Sequence, residues 1–166
     1  MYIFSFDAES DGLYGDIFAI GAAVIDSNGN IIDTFSGAAE IEAVSDQWTI
    51  QNVVGKLDSL PIFNSRRELR DAFWSFWMKY REKSTALCDN GIPVEAFLFR
   101  QCVGDNLEER KFLAPYPLLD VASLLHLKGI DNDTSRMSLS GYNGNPHNPL
   151  DDAIASALCW VKLLSY

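Results

Sequence analysis

The sequence is poor in the residues that mark several protein classes. It has 3 cysteines and 2 histidines in 166 residues, and 13 positive side chains stand against 23 negative ones. Cys88, Cys102 and Cys159 are widely spaced and odd in number, which fits neither a disulfide framework nor a Cys-x-x-Cys zinc site. We expect them to be small buried residues of a protein from a reducing cytosol.

Long apolar runs and an excess of positive charge are also missing. No apolar run approaches the roughly 18 residues that a membrane-spanning helix needs, so we expect no membrane partner. The amino terminus lacks the basic and apolar segments of a secretory signal, and we expect a cytoplasmic protein. A net charge of −10 argues against a broad basic groove for duplex nucleic acid. It leaves room for an enzyme that holds only a strand end, through metal ions.

The composition that remains is that of an ordinary globular protein. Hydrophobic residues make up 48% of the chain and charged residues 22%. A chain of this length can bury a substantial core, and it has no internal repeat or low-complexity tract. We therefore expect one domain over residues 1–166.

Residues 2–9, Tyr-Ile-Phe-Ser-Phe-Asp-Ala-Glu, are the most informative stretch. Their aromatic and β-branched residues predict a strand. Side chains alternate between the faces of a strand, so Asp7 and Glu9 point the same way, about 7 Å apart. The two charges repel each other, and a divalent cation between them would turn that repulsion into attraction. A polar turn at residues 10–13 places the pair at the rim of a sheet, and the alternative interpretation is an acidic strand end that is simply solvated.

The rest of the pattern predicts a mixed sheet flanked by helices. Strands over 17–26 and 31–38, joined by an Asn-Gly turn, would form an antiparallel meander with the first strand. A helix over 65–83 follows, with Ser65 as its N-cap and an aromatic stripe packed on the sheet. Because a crossover helix precedes it, the strand over 85–88 should run parallel to the first. The other predicted elements are a short helix within 48–57, a helix over 94–102, a strand bracketed by residues 111–113 and 117–120, a helix over 121–127, a long mobile loop over 129–146 and a helix over 151–164.

Acidic residues from three separate elements should meet at one edge of this sheet. Asp7 and Glu9 end a central strand, and either Asp89 or Glu95 follows the neighbouring parallel strand. Asp152 lies in the first turn of the last helix. Ligands of open sheets gather at the carboxyl ends of the strands, and carboxylates collected there suit Mg²⁺ or Mn²⁺. Two such ions about 4 Å apart stabilise in-line cleavage of a phosphodiester.

One histidine is well placed for proton transfer at this site. His147 precedes a helix that Asn148 can cap and Pro149 can start, which fixes Asp152 on rigid structure while His147 projects from the loop. A neutral imidazole with a pKa near 6.5 suits a general base at neutral pH. His126 has no acidic neighbours of this kind, and we expect it to serve in packing.

Three motifs, in this order, resemble those of the DEDDh family of 3′–5′ exonucleases, which includes ribonuclease T, oligoribonuclease and polymerase proofreading subunits. Phe6–Leu13 looks like the first motif, and Cys88–Leu98 is similar to the oligoribonuclease form of the middle motif. His147–Ala153 resembles the last motif, a histidine five residues before an aspartate. The family aspartate of the middle motif falls on Glu95, which is a departure, and Asp89 is the alternative ligand. The resemblance implies a ribonuclease-H-like α/β sheet.

The resemblance also implies a role for each matching residue. His147 would activate the attacking water, and Leu13 would wedge against the terminal base. The product would be a nucleoside 5′-monophosphate, released from the 3′ end of single-stranded DNA or RNA. The expected ligands of two divalent metal ions, Mg²⁺ or Mn²⁺, are Asp7, Glu9, Glu95 (or Asp89) and Asp152, and the expected substrate contacts are Ser10, Gly12, Leu13 and Asn90.

Two other functions remain open. A catalytically impaired module that binds a nucleic-acid end or a protein partner is favoured by Glu95 and by the negative net charge, because a misplacement near 1 Å can lower a rate roughly 100-fold. A phosphatase for small phosphoesters could use the same metal ions. Family relatives often dimerise, so a homodimer is also possible, and any exposed member of the Trp74/Trp77 pair is the first place to look for its interface.

Overall fold

The computed structural model describes residues 1–57 and 59–164, and these form an α/β fold with a six-stranded mixed sheet flanked by helices. The strands are β1 (Tyr2–Ser10), β2 (Ile17–Ile25), β3 (Ile31–Ala39), β4 (Ile62–Phe63), β5 (Ser84–Cys88) and β6 (Leu118–Asp120). The α-helices are α1 (Gln47–Asn52), α2 (Arg66–Tyr80), α3 (Ala96–Asp105), α4 (Leu107–Arg110), α5 (Val121–Leu127), α6 (Arg136–Ser140) and α7 (Pro149–Leu164). Shorter helical turns lie at Ile41–Ala43, Val54–Lys56, Arg81–Lys83 and Gly91–Glu95. The predicted fold class, a ribonuclease-H-like arrangement, is confirmed.

β1 lies inside the sheet, whose strand order is β4-β3-β2-β1-β5-β6. It pairs antiparallel with β2 and parallel with β5, and β3 pairs antiparallel with β2, so the predicted meander and the predicted parallel crossover are both confirmed. β6 is parallel to β5. The carboxyl ends of β1, β5 and β6 therefore meet at the same edge, and in the β1–β2 register Asp7 lies opposite Gly21.

The two faces of β1 enter different environments. Phe4 and Phe6 point into the main core, where their rings lie 6.1 and 5.9 Å from the ring of Phe73 on α2. The other face of the strand carries Asp7 and Glu9 and is covered by α7. The alternation that the sequence predicts therefore delivers apolar side chains to one layer and carboxylates to the other.

α2 begins where the sequence predicts. The Ser65 hydroxyl accepts the Glu68 N–H at 3.1 Å, while the Glu68 carboxylate accepts the N–H of Asn64 at 3.2 Å instead of that of Ser65. The aromatic stripe of this helix faces the sheet, as expected. Trp74 and Trp77 are both buried, so neither offers the exposed surface that a dimer interface would need.

Two local expectations are wrong, and one short strand was not expected. Residues 129–146 are not one irregular loop, because they contain α6, which begins after Ser135 and is capped by its hydroxyl. β4 is an additional two-residue strand, and it pairs parallel with the end of β3. His126 is exposed in the last turn of α5 and does not pack in the core. These are short features, and they depend on neighbours that are distant in the chain.

Two broader expectations can be compared with the described residues. Cys88, Cys102 and Cys159 are free and buried, as expected. No helix within residues 1–57 and 59–164 combines the length and the apolar character needed to cross a membrane.

Candidate metal centre

Three carboxylates meet at the carboxyl end of β1. Asp7 and Glu9 share one face of the strand, and Asp152 comes from the first turn of α7. Each offers a carboxylate oxygen, and these oxygens all lie within 4.8 Å of one another. The three sequence-predicted residues are thus brought together, although they come from opposite ends of the chain.

A glycine on β2 allows this convergence. A Cβ on Gly21 would lie 2.1 Å from the backbone nitrogen of Leu150 and 2.4 Å from the carbonyl oxygen of Pro149. The first turn of α7 therefore rests directly on the β2 backbone, beside the Asp7–Gly21 pair. This close approach, which only glycine permits, brings Asp152 within reach of β1.

Two further carboxylates lie on the wall of the same cavity, whose volume is about 310 Å³. Asp89 follows β5, and Glu95, 8% exposed, ends the helical turn that precedes α3. Asp89 is ion-paired with Arg136, whose Nε lies 2.5 Å from Asp89 Oδ1, whereas no cation of the described residues pairs with Glu95. Glu95 lies outside the compact group of three carboxylates, but no cation of the described residues compensates its charge when it ionises. It is therefore the stronger candidate for a fourth metal ligand.

Burial and mutual repulsion make these carboxylates hard to ionise. The pKa of Asp7 lies well above its usual value, first because the group is buried and then because Glu9, Glu95 and Asp152 are close. Burial, with Asp152 and Glu95 next, raises the pKa of Glu9 to about 8. Burial raises the pKa of Glu95 to about 7 and that of Asp152 to about 6. A divalent cation would stabilise the charged forms, so the donor set fits such an ion.

His147 lines the same cavity, and its backbone is constrained. Its N–H donates to Asp152 Oδ2 at 2.7 Å, and its φ of 64° is in the left-handed region. The imidazole meets the ring of Trp48 edge-to-face, with 5.6 Å between centroids. Burial and the charge of Lys56 hold the pKa of His147 below its ordinary value, which keeps the ring neutral at pH 7. The ring can therefore accept a proton within the cavity.

The segment before α7 is tied to that helix and does not hang free. Asn148 accepts the N–H groups of Leu150 and Asp151 at 3.2 and 3.4 Å, which confirms the predicted cap. The Asp151 carboxylate in turn accepts the Tyr142 hydroxyl and the Asn145 N–H, both at 2.8 Å. These hydrogen bonds hold the segment that carries His147 against the start of α7.

A cleft of about 550 Å³ adjoins the carboxylates and is lined largely by apolar side chains. Leu13 is 66% exposed at its wall. Ser10 is buried and donates its hydroxyl to the Gly12 carbonyl at 2.6 Å, and the Gly12 N–H reaches Thr49 Oγ1 at 3.3 Å. Ser10 and Gly12 therefore shape the turn that presents Leu13. Asn90 lines a neighbouring cleft beside α5, and not the carboxylate cavity.

Sequence reasoning missed three residues of the site. Trp48 and Tyr14 are exposed on the wall of the apolar cleft, and Arg136 lines the carboxylate cavity. The only signal for Trp48 was its place in the predicted short helix of residues 48–57. Asp11 anchors this region through bonds to the backbone N–H groups of Ser45 and Asp46, at 3.0 and 2.7 Å, which no local pattern reveals.

The arrangement combines oxygen ligands, a neutral imidazole and an apolar cleft, which together suit hydrolysis of a phosphate ester that carries an aromatic group. Neither a scan against protein-family models nor a search of curated proteins gives a match to this chain. The function must therefore be inferred from the chemistry of the site.

Proposed function

We propose that the protein is a metal-dependent 3′–5′ exonuclease that releases nucleoside 5′-monophosphates from the 3′ ends of single-stranded DNA or RNA. The observation that carries the proposal is the convergence of Asp7, Glu9 and Asp152 in a cavity that His147 also lines. Glu95 completes the set on the cavity wall. These are also the residues on which the resemblance to DEDDh exonucleases rests.

The carboxylates and the histidine have different roles in this proposal. Asp7, Glu9, Asp152 and Glu95 would hold two Mg²⁺ or Mn²⁺ ions, which when bound supply charge stabilisation for in-line displacement at phosphorus. His147, neutral at pH 7, takes the proton of the attacking water. Its backbone bond to Asp152 keeps the imidazole in register with the ligand that comes from α7.

The apolar cleft supports a nucleotide as the substrate. Leu13, Tyr14 and Trp48 offer exposed apolar surface beside Glu9, so a base in the cleft would bring its phosphate next to the carboxylates. Stacking on aromatic side chains is worth about 1–3 kcal/mol per base and tolerates every base, which suits an enzyme that shortens strands regardless of sequence. The net charge of −10 favours a grip on the strand end over a grip along a strand.

One observation keeps a second function in view. Glu95 lies outside the group of carboxylates that approach within 4.8 Å, and a misplaced ligand lowers a rate steeply. A module that binds strand ends without cleaving them is therefore the alternative, with a protein partner as its other possible target. The two differ in turnover and not in the site that they use.

The test is incubation of the purified protein with 5′-labelled single-stranded RNA and DNA in Mn²⁺. We expect a ladder of shortened products, and we expect Asp7→Asn to abolish it. Asp26→Asn is the matched control, because Asp26 caps the distant β2–β3 turn. Binding of the strand without a ladder would favour the impaired module. Hydrolysis of a chromogenic monophosphate alone would favour a phosphatase, and no activity in any arm would count against the proposal.

Location and assembly complete the proposal. Three free, buried cysteines support a reducing compartment, and we infer the cytoplasm. A homodimer stays a prediction, since Trp74 and Trp77 are buried and so lend it no support. Light scattering of the purified chain measures its mass in solution and decides the point.

A further inference from the structure

Arg136 is fixed on the wall of the carboxylate cavity. Its Nε donates to Asp89 Oδ1 at 2.5 Å, and its Nη1 donates to the carbonyl oxygens of Asn132 and Thr134 at 2.7 and 2.6 Å. The side chain is 13% exposed. Three bonds to two different segments leave the guanidinium little freedom to move.

The remaining nitrogen of this guanidinium is free to bind a ligand. Within residues 1–57 and 59–164, no acceptor is bonded to Nη2 of Arg136. Among the described residues that line the cavity, Arg136 is also the only lysine or arginine. A fixed donor with two unused N–H groups therefore stands beside Asp7, Glu9 and Asp152.

Neutralising Asp89 does not by itself explain this geometry. Elsewhere in the molecule, Arg70 forms a bidentate pair with Asp105. Its Nε donates to Oδ2 at 2.6 Å and its Nη2 donates to Oδ1 at 2.9 Å. Arg136 gives Asp89 a single bond from Nε, and no second bond from Nη2 accompanies it. Guanidinium groups held in this way bind phosphate oxygens well, because the planar fork is already oriented.

We propose that Arg136 binds a non-bridging oxygen of the scissile phosphate through Nη2. The inference rests on the proposed function, in which that phosphate leaves as the 5′-phosphate of the released nucleotide. Arg136 would then be a substrate-binding residue, and Asp89 would be the group that positions it. This also gives Asp89 a role other than that of a metal ligand.

The test compares two ligands that differ only in the phosphate. Affinities for adenosine 5′-monophosphate and for adenosine are measured by calorimetry in Ca²⁺ with wild-type protein and Arg136→Ala. A hydrogen bond between charged groups corresponds to roughly 10- to 100-fold in affinity, so we expect that loss for the monophosphate and no change for adenosine. An equal loss for both ligands, or no loss for either, would overturn the proposal. If Arg136→Ala does not fold, Arg136→Gln takes its place, because a neutral amide has similar length.

The matched control is Arg110→Ala. Arg110 is 12% exposed, pairs with Asp71 at 2.7 Å and donates to the Cys102 carbonyl at 2.9 Å, so its burial and partners resemble those of Arg136, but it does not line the cavity. We expect Arg110→Ala to leave both affinities unchanged.

A double variant separates phosphate binding from simple neutralisation of Asp89. If Arg136 only compensates that carboxylate, Asp89→Asn/Arg136→Ala should recover the wild-type affinity for the monophosphate, and such recovery would overturn the proposal. If Arg136 binds the phosphate, the double variant stays as weak as Arg136→Ala. Wild-type protein that degrades oligonucleotides while Arg136→Ala binds the monophosphate normally refutes this inference alone. If the wild-type protein neither degrades oligonucleotides nor binds the monophosphate, the proposed function is refuted as well.

Discussion

Carboxylates on β1 and α7 are buried close together, and their charged forms lower the stability of the folded protein. Asp7 and Glu9 are held next to Asp152, and burial raises the pKa of each. A packed apolar residue at such a position is often neutral or stabilising in comparison with a buried charge. The arrangement therefore makes physical sense when a ligand compensates the charges, and residues that lower stability in this way concentrate at functional sites.

His147→Asn tests the proposed base. Asn tolerates the left-handed backbone and keeps the N–H that bonds to Asp152, so the variant should fold and bind Mn²⁺ normally. We expect kcat to fall about 10²- to 10⁴-fold, which is the usual contribution of general base catalysis. The lowered pKa of His147 places its part of the acid limb of the wild-type kcat profile below the ordinary imidazole value, and that part should be missing from the variant in saturating Mn²⁺.

The control for this prediction is His126→Asn, since His126 is exposed on α5, away from the carboxylate cavity. It should retain wild-type kcat and the wild-type pH profile. Retention of more than a tenth of the activity by His147→Asn would assign the proton transfer to another group.

Trp48→Ala tests the role of the apolar cleft. The side chain is 58% exposed, so its loss should change the free energy of unfolding by no more than about 0.5 kcal/mol. Loss of a stacked base costs about 1–3 kcal/mol, so we expect KM to rise roughly 5- to 150-fold. Trp48→Phe should restore most of the affinity, and Phe112→Ala, at an exposed site outside the cleft, should leave KM unchanged. An unchanged KM in Trp48→Ala would exclude this cleft as the base site.

The sequence predicts Asp7, Glu9, Asp152 and His147 because alternation on a strand and spacing before a helix cap place them without reference to the rest of the chain. It leaves Asp89 and Glu95 unresolved for an equally physical reason. The difference between them is set by Arg136, which is 47 residues from Asp89 and lies in a segment that reads as a loop. No local sequence pattern indicates that a residue so far along the chain is the counter-ion of Asp89.

Helices and strands also differ in how well the sequence predicts them. β1 to β3, β5 and α5 follow directly from periodicity, caps and turn residues, and their predicted ranges lie within a residue or two of those observed. α6 has five residues, too few for a helical period, and it is held by its cap and by α7, for example where Lys162 donates to the Leu139 carbonyl at 2.7 Å. Elements that depend on tertiary contacts are the ones that the sequence does not predict.

Gly21→Ala tests the contact between α7 and the sheet. The added Cβ would lie 2.1 Å from the Leu150 nitrogen, so the first turn of α7 must move away and take Asp152 with it. We expect a loss of about 1–3 kcal/mol in the free energy of unfolding, as for other overpacked sites. Affinity for Mn²⁺, measured by calorimetry, should fall at least about tenfold, since ligand geometry is lost.

Gly104→Ala is the matched control for this change. A Cβ at Gly104 meets nothing within 4 Å, and Ala is the better helix former, so α3 should gain up to about 1 kcal/mol and Mn²⁺ affinity should not change. Normal Mn²⁺ affinity in folded Gly21→Ala would show that the position of Asp152 does not depend on this contact.

The molecule as a whole concentrates unfavourable charge in one cavity while its net charge is already −10. A cation that binds the folded state alone stabilises it by mass action, by about 2.7 kcal/mol at a hundredfold excess over Kd. The metal ions therefore have a structural effect in this proposal as well as a catalytic one. Thermal unfolding can detect that effect without any substrate.

The pH dependence of stability follows from the same carboxylates. The folded-state pKa values of Glu9, Glu95 and Asp152 are raised to about 8, 7 and 6, so between the unfolded and the folded values the native state binds more protons than the unfolded one. Stability of the metal-free protein should then fall as the pH rises from about 5 to about 8.5, and the Tm in EDTA should fall by several degrees. Saturating Mg²⁺ should raise the Tm by about 5–10 °C at pH 8.5 and much less at pH 5, where protons compete for the ligands.

Glu9→Gln/Asp152→Asn should flatten the EDTA curve and remove the Mg²⁺ effect. A wild-type curve that is flat in EDTA, or a Tm that ignores Mg²⁺ at pH 8.5, would contradict the buried, uncompensated charge on which the site depends.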